Sequence, residues 1–213
     1  MAHLLPLDEF RNCGIPSDDP LRWYYHRVLG RLYRRRLDVA IALAGSGRRV
    51  LDVGYGSGTT FLELGSRFAE VHGVDFHRYG APIADVFERH GVPVRLIRGN
   101  VLSLPYASGS FDAVVAMSIL EHLRPADQAP AMEEIRRVLR PQGAIIVGAP
   151  GLNPLMSVAF RFMGFRISEF HFSSPRLIRG TAARFFSIDR VITRPPGAPA
   201  ALTTYEWFRG IKS

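Results

Sequence analysis

The chain has 213 residues, of which 47% are hydrophobic and 22% charged, as in an ordinary one-domain globular protein. Its formal net charge of +8 favours approach to phosphates or to an anionic membrane surface, and the charge alone does not distinguish between these two partners. We expect a cytoplasmic protein, because no apolar run reaches the roughly 20 residues that cross a bilayer and the first residues do not resemble a signal peptide. The single cysteine, Cys13, excludes an internal disulfide framework and a multi-cysteine zinc site.

The segment before the first predicted strand, residues 1–47, is predicted to form a helical cap. Its helix is expected from Leu21 onward, with three aromatic residues near the start, Trp23, Tyr24 and Tyr25. Four arginines are concentrated on the same helix: Arg31, Arg34, Arg35 and Arg36. They form either a solvated helix face or a patch that contacts anions, because a guanidinium group presents a rigid fork of donors suited to phosphate and carboxylate.

Short runs of apolar and β-branched residues alternate with helical stretches along the middle of the chain. These runs predict five buried strands, RRVLDV, EVHGVD, PVRLIRG, FDAVVAM and GAIIVGAP. Helices are expected over residues 60–67, around Ile83, and over residues 130–139. Strands that alternate with helices predict a mostly parallel, doubly wound α/β sheet covered on both faces, so the strands are expected to be nearly all apolar.

Two further strands are predicted near the end of the chain, FFSIDRVITR and TTYEWFRGI. The segment between them, PPGAPAA, is too short for a crossover helix, so we expect an antiparallel hairpin at the edge of a seven-stranded sheet. The whole chain, residues 1–213, is predicted to be a single domain. It comprises the cap, a core over residues 48–151, and a substrate-side insertion with the terminal strands over residues 152–213.

A glycine-rich turn follows the first predicted strand, within residues 50–59. In an open parallel sheet, ligands bind beyond the carboxyl ends of the strands, where the strand order reverses. Gly54, Gly56 and Gly58 let the main chain bend sharply and approach a ligand. Thr59 stands where a dinucleotide fingerprint needs glycine, and no Gly-Lys-Ser/Thr of a P-loop follows. The spacing therefore favours a different nucleotide ligand.

Two acids accompany this turn. Asp75 ends the second predicted strand, where the ribose of a nucleotide is expected, and a carboxylate there can accept from both vicinal hydroxyls. The alternative for Asp75 is a helix cap or a turn acid. Asp52 precedes the glycines and is either a ligand-binding acid or a buried structural one.

The stretch VLDVGYGSG, together with HGVDF, resembles the S-adenosylmethionine-binding motifs of class I (Rossmann-like) methyltransferases of the small-molecule type. The resemblance extends over residues 49–151, because SGSFDAVVAMSILEHL and EEIRRVLRPQGAIIVGAP are similar to the family's later blocks. It implies S-adenosylmethionine as the cofactor. The cofactor-binding residues that it implies are Asp52, Gly54, Tyr55, Gly56, Ser57, Gly58, Asp75, Phe76, Asn100, Val101, Leu102, Met117 and Ser118.

The resemblance also implies roles for some of these residues. Family members bind the methionine carboxylate and amino groups near the glycine loop and the ribose through the acid of the second strand. By position, Asp75 takes the ribose role, with Phe76 beside the sugar or the adenine. Many relatives have aspartate where this chain has Asn100, but an amide still offers a donor and an acceptor to the adenine edge.

Methyl transfer is an in-line displacement that needs the acceptor atom at about 3–3.5 Å from the methyl carbon. A hydroxyl or ammonium acceptor must also lose a proton, for which the candidate bases are Glu121, His122 and His171. In many relatives the acid–histidine pair is a structural feature of the fold, and His171 is either part of a structural turn or a substrate contact. We predict no metal site, because no carboxylates cluster with histidines along the chain.

The acceptor is expected to be a small molecule, apolar or lipid-like, that is methylated on oxygen or nitrogen. Residues 152–172 are rich in aromatic and aliphatic side chains and form either the acceptor pocket or ordinary core packing. With Arg161 and Arg166 they could instead rest on a membrane surface, so peripheral membrane contact is left open. The expected oligomeric state is a monomer or a homodimer.

The alternatives are an RNA or protein methyltransferase and a non-catalytic cofactor-binding protein, since fold does not fix function. A base-modifying amino-methylase would carry an Asn/Asp-Pro-Pro-aromatic run where residues 117–120 read Met-Ser-Ile-Leu. A cytosine-C5 enzyme needs a thiol near a proline, and Cys13 lies in another part of the chain. No nucleic-acid partner is therefore expected.

Overall fold

The computed structural model describes residues 1–16, 19–27, 29–151, 172–199 and 202–213. The strands are β1 Gly47–Val53, β2 Phe68–Asp75, β3 Val94–Arg98, β4 Phe111–Met117, β5 Leu139–Pro150, β6 Ser187–Arg194 and β7 Tyr205–Ile211. The helices are α1 Leu21–Tyr25, α2 Gly30–Ala44, α3 Phe61–Gly65, α4 Gly80–Arg89, α5 Gln128–Val138 and α6 Pro175–Ala182. Short 3₁₀ turns span Leu7–Phe10, Leu120–His122 and Pro125–Asp127.

The seven strands form one sheet in the order β3-β2-β1-β4-β5-β7-β6. Strands β1 to β5 pair in parallel, whereas β7 pairs antiparallel with both β5 and β6. From β1 the chain proceeds outward through β2 and β3 and then returns to β4 on the other side of β1, so the strand order reverses between β1 and β4. The predicted doubly wound α/β sheet with a C-terminal antiparallel hairpin is confirmed.

Helices cover both faces of the sheet. Helices α2, α3 and α4 pack on one face, and α5 and α6 pack on the other. Along β1, Val50 belongs to the first core and Leu51 to the second, and both side chains are fully buried. The central strands are apolar because each of their faces meets a helical layer.

Among the five strands expected to be buried and nearly all apolar, the expectation is wrong for β3, one of the two edge strands of the sheet. In β3, Arg95, Ile97 and Arg98 are exposed, and most residues of β6 are exposed as well. An edge strand has a neighbour on one side only, and charged residues there hinder pairing with another chain. Burial on both faces is therefore found in the strands that have two neighbours in the sheet, β1, β2, β4, β5 and β7.

The helical cap consists of two helices, α1 and α2, rather than the one predicted from Leu21. The chain leaves α1 at His26, whose ψ of 134° is extended, and α2 begins at Gly30. A Cβ at Gly30 would lie 2.7 Å from the carbonyl oxygen of Tyr24. The two helices thus approach so closely that only glycine fits.

Two other helix boundaries differ from prediction. The helix expected over residues 60–67 is the shorter α3, which begins one residue later and ends two residues earlier. The helix expected over residues 130–139 is α5, which ends when Leu139 becomes extended, with ψ of 139°. No helix in the described part of the chain is long and apolar enough to cross a membrane.

Candidate functional site

The glycine loop lies at the carboxyl end of β1, beside the reversal of strand order. Gly54, Gly56 and Gly58 have φ of +73°, +51° and +75°, in the left-handed region that favours glycine. The backbone N–H of Gly54 donates to the carbonyl of Val74 at 2.8 Å, which joins the loop to the end of β2. The structure thus has the sharp turn that the sequence predicts.

The surroundings of the loop differ from one glycine to the next. A Cβ at Gly58 would lie 2.6 Å from the ring of Phe61 and 2.8 Å from that of Phe87, both buried. Among the described residues, a Cβ at Gly56 would meet only the carboxylate of Asp19, at 3.3 Å. The loop is therefore packed into the core at Gly58 and open at Gly56.

This contrast predicts unequal effects of alanine at the two positions. Gly58→Ala is expected to lower the free energy of unfolding by about 3 kcal/mol, because backbone strain adds to overlap with the two rings. Gly56→Ala is expected to cost about 1 kcal/mol, from backbone strain alone. Urea denaturation of both variants checks the prediction, which equal losses would contradict.

Asp75 ties the loop to β2. Its carboxylate accepts the backbone N–H of Gly56 at 2.9 Å and that of Phe76 at 2.7 Å. The Nε2 atom of His77 lies 3.0 Å from the Gly56 carbonyl oxygen and 3.6 Å from Asp75 Oδ2. Asp75 does not cap α4, whose N-cap residue is Tyr79. It is a strand-end acid that contacts the open part of the loop and also accepts the N–H groups of the turn that follows β2, so its role as a turn acid is present as well.

Asp52 is 2% exposed and accepts a hydrogen bond from the Thr60 hydroxyl. Burial raises its pKa to about 7, with a smaller upward contribution from the charge of Asp75 and a downward one from Thr60. This is the geometry of a buried, hydrogen-bonded acid, which is one of the two alternatives that the sequence left open. Contact between Asp52 and the cofactor stays a prediction.

Tyr55 and Ser57 face different surroundings. The Tyr55 ring is buried beneath the loop, 4.7 Å from the ring of His77 and 5.5 Å from that of Phe61 between centroids. Only the main chain of Tyr55 is therefore available to a ligand. The Ser57 hydroxyl donates to Asp19 at 3.1 Å. Sequence reasoning missed Asp19, which brings a carboxylate from the N-terminal segment to the glycine loop.

The predicted adenine-side residues lie after β2 and β3. Asn100 Oδ1 accepts the backbone N–H of Leu102 at 2.9 Å, which leaves the Asn100 amide group as a donor. Val101 is buried, Leu102 is half-buried, and Phe76 is 58% exposed. Phe76 thus offers an aromatic face at the surface next to Asp75.

The hydroxyl of Ser118, the residue directly after β4, pairs with that of Tyr205. Ser118 has φ of +54°, and its Oγ lies 2.8 Å from the Tyr205 hydroxyl. Its backbone N–H donates to the Gly148 carbonyl at 2.7 Å. A Cβ at Gly148 would lie 2.6 Å from the sulfur of half-buried Met117, so the two predicted residues sit on a tightly packed part of the sheet. Tyr205, from β7, was not predicted.

Arg36 reaches the ring of Tyr205 from α2. Its guanidinium carbon lies 4.6 Å from the ring centroid of Tyr205 and 4.4 Å from that of Tyr33. Its buried Nε has no hydrogen-bond partner in the described part of the chain. The arginine cluster is therefore divided, because Arg36 points inward whereas Arg31 and Arg35 are exposed.

Glu121 is fully buried in the turn after β4. Neither of its carboxylate oxygens has a hydrogen-bond partner among the described residues. Burial raises its pKa to about 8, against a lowering by the charge of Arg36. The Glu121 carbonyl oxygen accepts the backbone N–H of Phe172 at 2.8 Å. The turn is thus attached to the chain that leads into α6.

Of the two histidines proposed as bases, the structure describes His122 but not His171. His122 is exposed at the end of the 3₁₀ turn, where its backbone N–H donates to Ile119 at 3.1 Å. His171 lies outside the described residues, as do Arg161, Arg166 and all of the predicted acceptor segment except Phe172. In the described ranges, no three His, Cys, Asp or Glu side chains are placed to hold a metal ion.

Comparison with known proteins agrees with this arrangement. A family model described as a methyltransferase domain matches residues 51–147. A demethylmenaquinone methyltransferase of Thermus thermophilus is 37% identical over 116 residues, which are 53% of this chain and 52% of the relative. Methyltransferase GfsG of Streptomyces halstedii is 35% identical over 135 residues, 62% of this chain and 46% of that relative. The chain spans about half the length of the curated relatives it matches.

Solved structures share the fold at low sequence identity. A geranyl diphosphate methyltransferase in complex with S-adenosylmethionine has a TM-score of 0.72 at 17% identity, with 94% of each chain covered. The N-methyltransferase NodS of Bradyrhizobium japonicum, in complex with S-adenosylhomocysteine, has a TM-score of 0.70 at 16% identity, with 96% of each chain covered.

The sheet order and these likenesses define the fold as that of a Rossmann-like class I methyltransferase. Within that class, residues 51–147 of the chain match the family model of a methyltransferase domain. The family expected from the glycine loop and the acid of β2 is confirmed.

Proposed function

We propose that the chain is an S-adenosylmethionine-dependent methyltransferase that methylates an oxygen or nitrogen of a small, largely apolar acceptor. The observation that carries the proposal is the contact between the open glycine loop and Asp75 at the reversal of strand order. Ligands of open α/β sheets bind at this place. The methyltransferase domain over residues 51–147 includes both features.

The described residues fit S-adenosylmethionine. Asp75 offers carboxylate oxygens for the ribose hydroxyls, and the Asn100 amide offers a donor for the adenine edge. Asp19 brings a carboxylate to the open glycine, where it suits the ammonium group of the methionine part. When bound, the cofactor supplies an electrophilic methyl group, so the chain's own residues need to position the acceptor and accept a proton.

Residues around the end of β4 suit the acceptor side. The hydroxyls of Ser118 and Tyr205 can hold an acceptor oxygen or nitrogen by hydrogen bonds. The positive charge of Arg36 stabilises negative charge that develops on the acceptor as its proton leaves. Orientation of the acceptor on the methyl axis supplies much of the rate.

Glu121 is the candidate base with the most suitable described environment. With a pKa of about 8, Glu121 is mostly protonated at neutral pH, and only its ionised fraction accepts a proton, so base catalysis by Glu121 is expected to increase as the pH rises toward 8. His122 and His171 stay candidates as well. The pH dependence of transfer by Glu121→Gln and His122→Ala variants distinguishes the first two.

The apolar character of the acceptor rests on the relatives. Several, by name, act on demethylmenaquinone, and one solved structure of the same fold is a geranyl diphosphate methyltransferase. Both names denote small molecules with apolar parts. We therefore propose a lipid-like acceptor, and we propose that the chain acts as a monomer or a homodimer.

Two measurements test the function. Isothermal titration is expected to show binding of S-adenosylmethionine and S-adenosylhomocysteine to the full chain. Incubation of a cell extract with methyl-labelled cofactor is then expected to place the label in a small molecule of the organic phase, as identified by mass spectrometry. Label in RNA or protein would support those substrates instead. Binding without transfer would support a non-catalytic cofactor-binding protein.

A further inference from the structure

A groove of about 760 Å³ lies between α2 and the edge strand β6, apart from the cofactor crevice. This volume is within the range of ligand sites, about 300–1,000 Å³. Its lining residues come from both elements and from the start of the chain, Met1, Arg31, Leu32, Arg35, Asp38, Val39, Ala42, Leu43, Ile192 and Arg194. We call it the α2–β6 groove.

The α2–β6 groove has an excess of positive charge. Arg31, Arg35 and Arg194 line it, and none of them forms an ion pair with a described residue. The one acid among the described lining residues, Asp38, already accepts the backbone N–H of Ala2. The pKa of Arg194 is lowered by burial and by the charges of Arg35 and Arg36, so these cations share one electrostatic field. An anion in the groove would relieve that repulsion.

The rest of the lining is aliphatic. Leu32, Val39, Leu43 and Ile192 line the groove together with the arginines, and Ile192 is 39% exposed. None of the described lining residues is aromatic, whereas sites for single-stranded nucleic acid use aromatic rings to stack bases. Basic residues beside apolar ones are typical of surfaces that bind anionic lipid.

The arginines of the groove lie at the end of the sheet that also holds the crevice. Arg194 ends β6 and pairs with Tyr205, which pairs with Pro150 at the end of β5. Because β5 runs parallel to β1 and β4, this is the end of the sheet where the carboxyl ends of β1, β4 and β5 lie. Binding of the groove to a surface would therefore bring the acceptor side close to that surface.

We propose that the α2–β6 groove binds the phosphate headgroups of an anionic lipid bilayer and so docks the end of the sheet that holds the crevice on the membrane. The proposal goes beyond the proposed function, because bilayer binding needs neither cofactor nor acceptor. It also assigns the exposed half of the arginine cluster to anion binding.

Co-sedimentation of the full chain with vesicles tests the proposal. The protein is expected to pellet with vesicles of phosphatidylcholine and phosphatidylglycerol, but not with phosphatidylcholine alone, and less as salt increases. The triple variant R31A/R35A/R194A is expected to lose about a hundredfold in partitioning, since each arginine near an anionic surface contributes about a factor of five.

A matched control removes equal charge from the opposite helical layer. The triple variant R136A/R176A/R184A replaces exposed arginines of α5, α6 and the residues just after α6. It is expected to pellet like the unaltered chain, and thermal melting checks that both triples fold. Equal losses in the two triples would show that binding follows net charge and overturn the proposal. So would preferential binding of RNA, or binding of inorganic phosphate without vesicle binding.

Discussion

Asp75→Asn is expected to weaken the binding of S-adenosylmethionine and S-adenosylhomocysteine by about a hundredfold. The carboxylate can accept from both ribose hydroxyls, whereas the amide presents one oxygen and one group that only donates. Asp75 now accepts the backbone N–H of Gly56 on Oδ2 at 2.9 Å and that of Phe76 on Oδ1 at 2.7 Å, and the amide oxygen of asparagine can keep one of these two bonds. Isothermal titration should report the lost hydrogen bonds to the ribose, and thermal melting should show the small loss of stability from the missing loop bond.

The matched control is Asp85→Asn. Asp85 is exposed on α4, so the same chemical change there should leave the affinity unaltered. Thermal melting of both variants separates loss of binding from loss of folding. If Asp75→Asn binds the cofactor as the unaltered chain does, the assignment of this strand end to the ribose is wrong.

Glu121→Gln is expected to stabilise the protein at alkaline pH. The carboxyl group has a pKa of about 8 in the fold against an ordinary value of 4.5, so the fold favours its protonated form. Stability from this group is fully present below about pH 4.5, declines as the pH rises, and is lost once the pH passes about 8. Glutamine does not titrate, so the variant should be the more stable by up to about 5 kcal/mol near pH 9 and by less than about 1 kcal/mol near pH 5.

Urea denaturation across this pH range measures the difference. Glu88→Gln is the control, because Glu88 is exposed on α4 and should show the same stability as the unaltered chain at every pH. Parallel stability curves for Glu121→Gln and the unaltered chain would show that burial imposes no cost on the ionised carboxylate. A loss of methyl transfer in the stabilised variant would support Glu121 as the base.

The order of strands and the glycine loop could be predicted because their signals are local. Central strands such as β1 are buried on both faces and are therefore apolar in sequence, and the positive φ at Gly54 needs glycine whatever packs nearby. Helix ends were less predictable. The break before Gly30 depends on its approach to Tyr24 in the neighbouring helix, which no local pattern indicates.

The acceptor side was the least predictable part. Ser118 meets Tyr205, which comes from a strand far along the chain, and Arg36 reaches the Tyr205 ring from the cap. These contacts depend on the position that β7 takes in the sheet. Its sequence does not indicate that position, because one apolar strand resembles another. The burial of Glu121 was equally hidden, because an acid beside a histidine suggests an exposed turn. Asp19 carried no signal beyond its being an acid near a helix start.

The antiparallel direction of β7 has a consequence for how this fold can diversify. In a wholly parallel sheet, only segments that follow strands reach the ligand-binding end of the sheet, and those that follow β1, β2, β3 and β4 here are the ones we propose to bind the donor. Because β7 runs the other way, the connection from Arg194 to Tyr205 both begins and ends there. Insertions or exchanges in this connection are therefore expected to alter which acceptor is admitted while the affinity for the methyl donor is preserved.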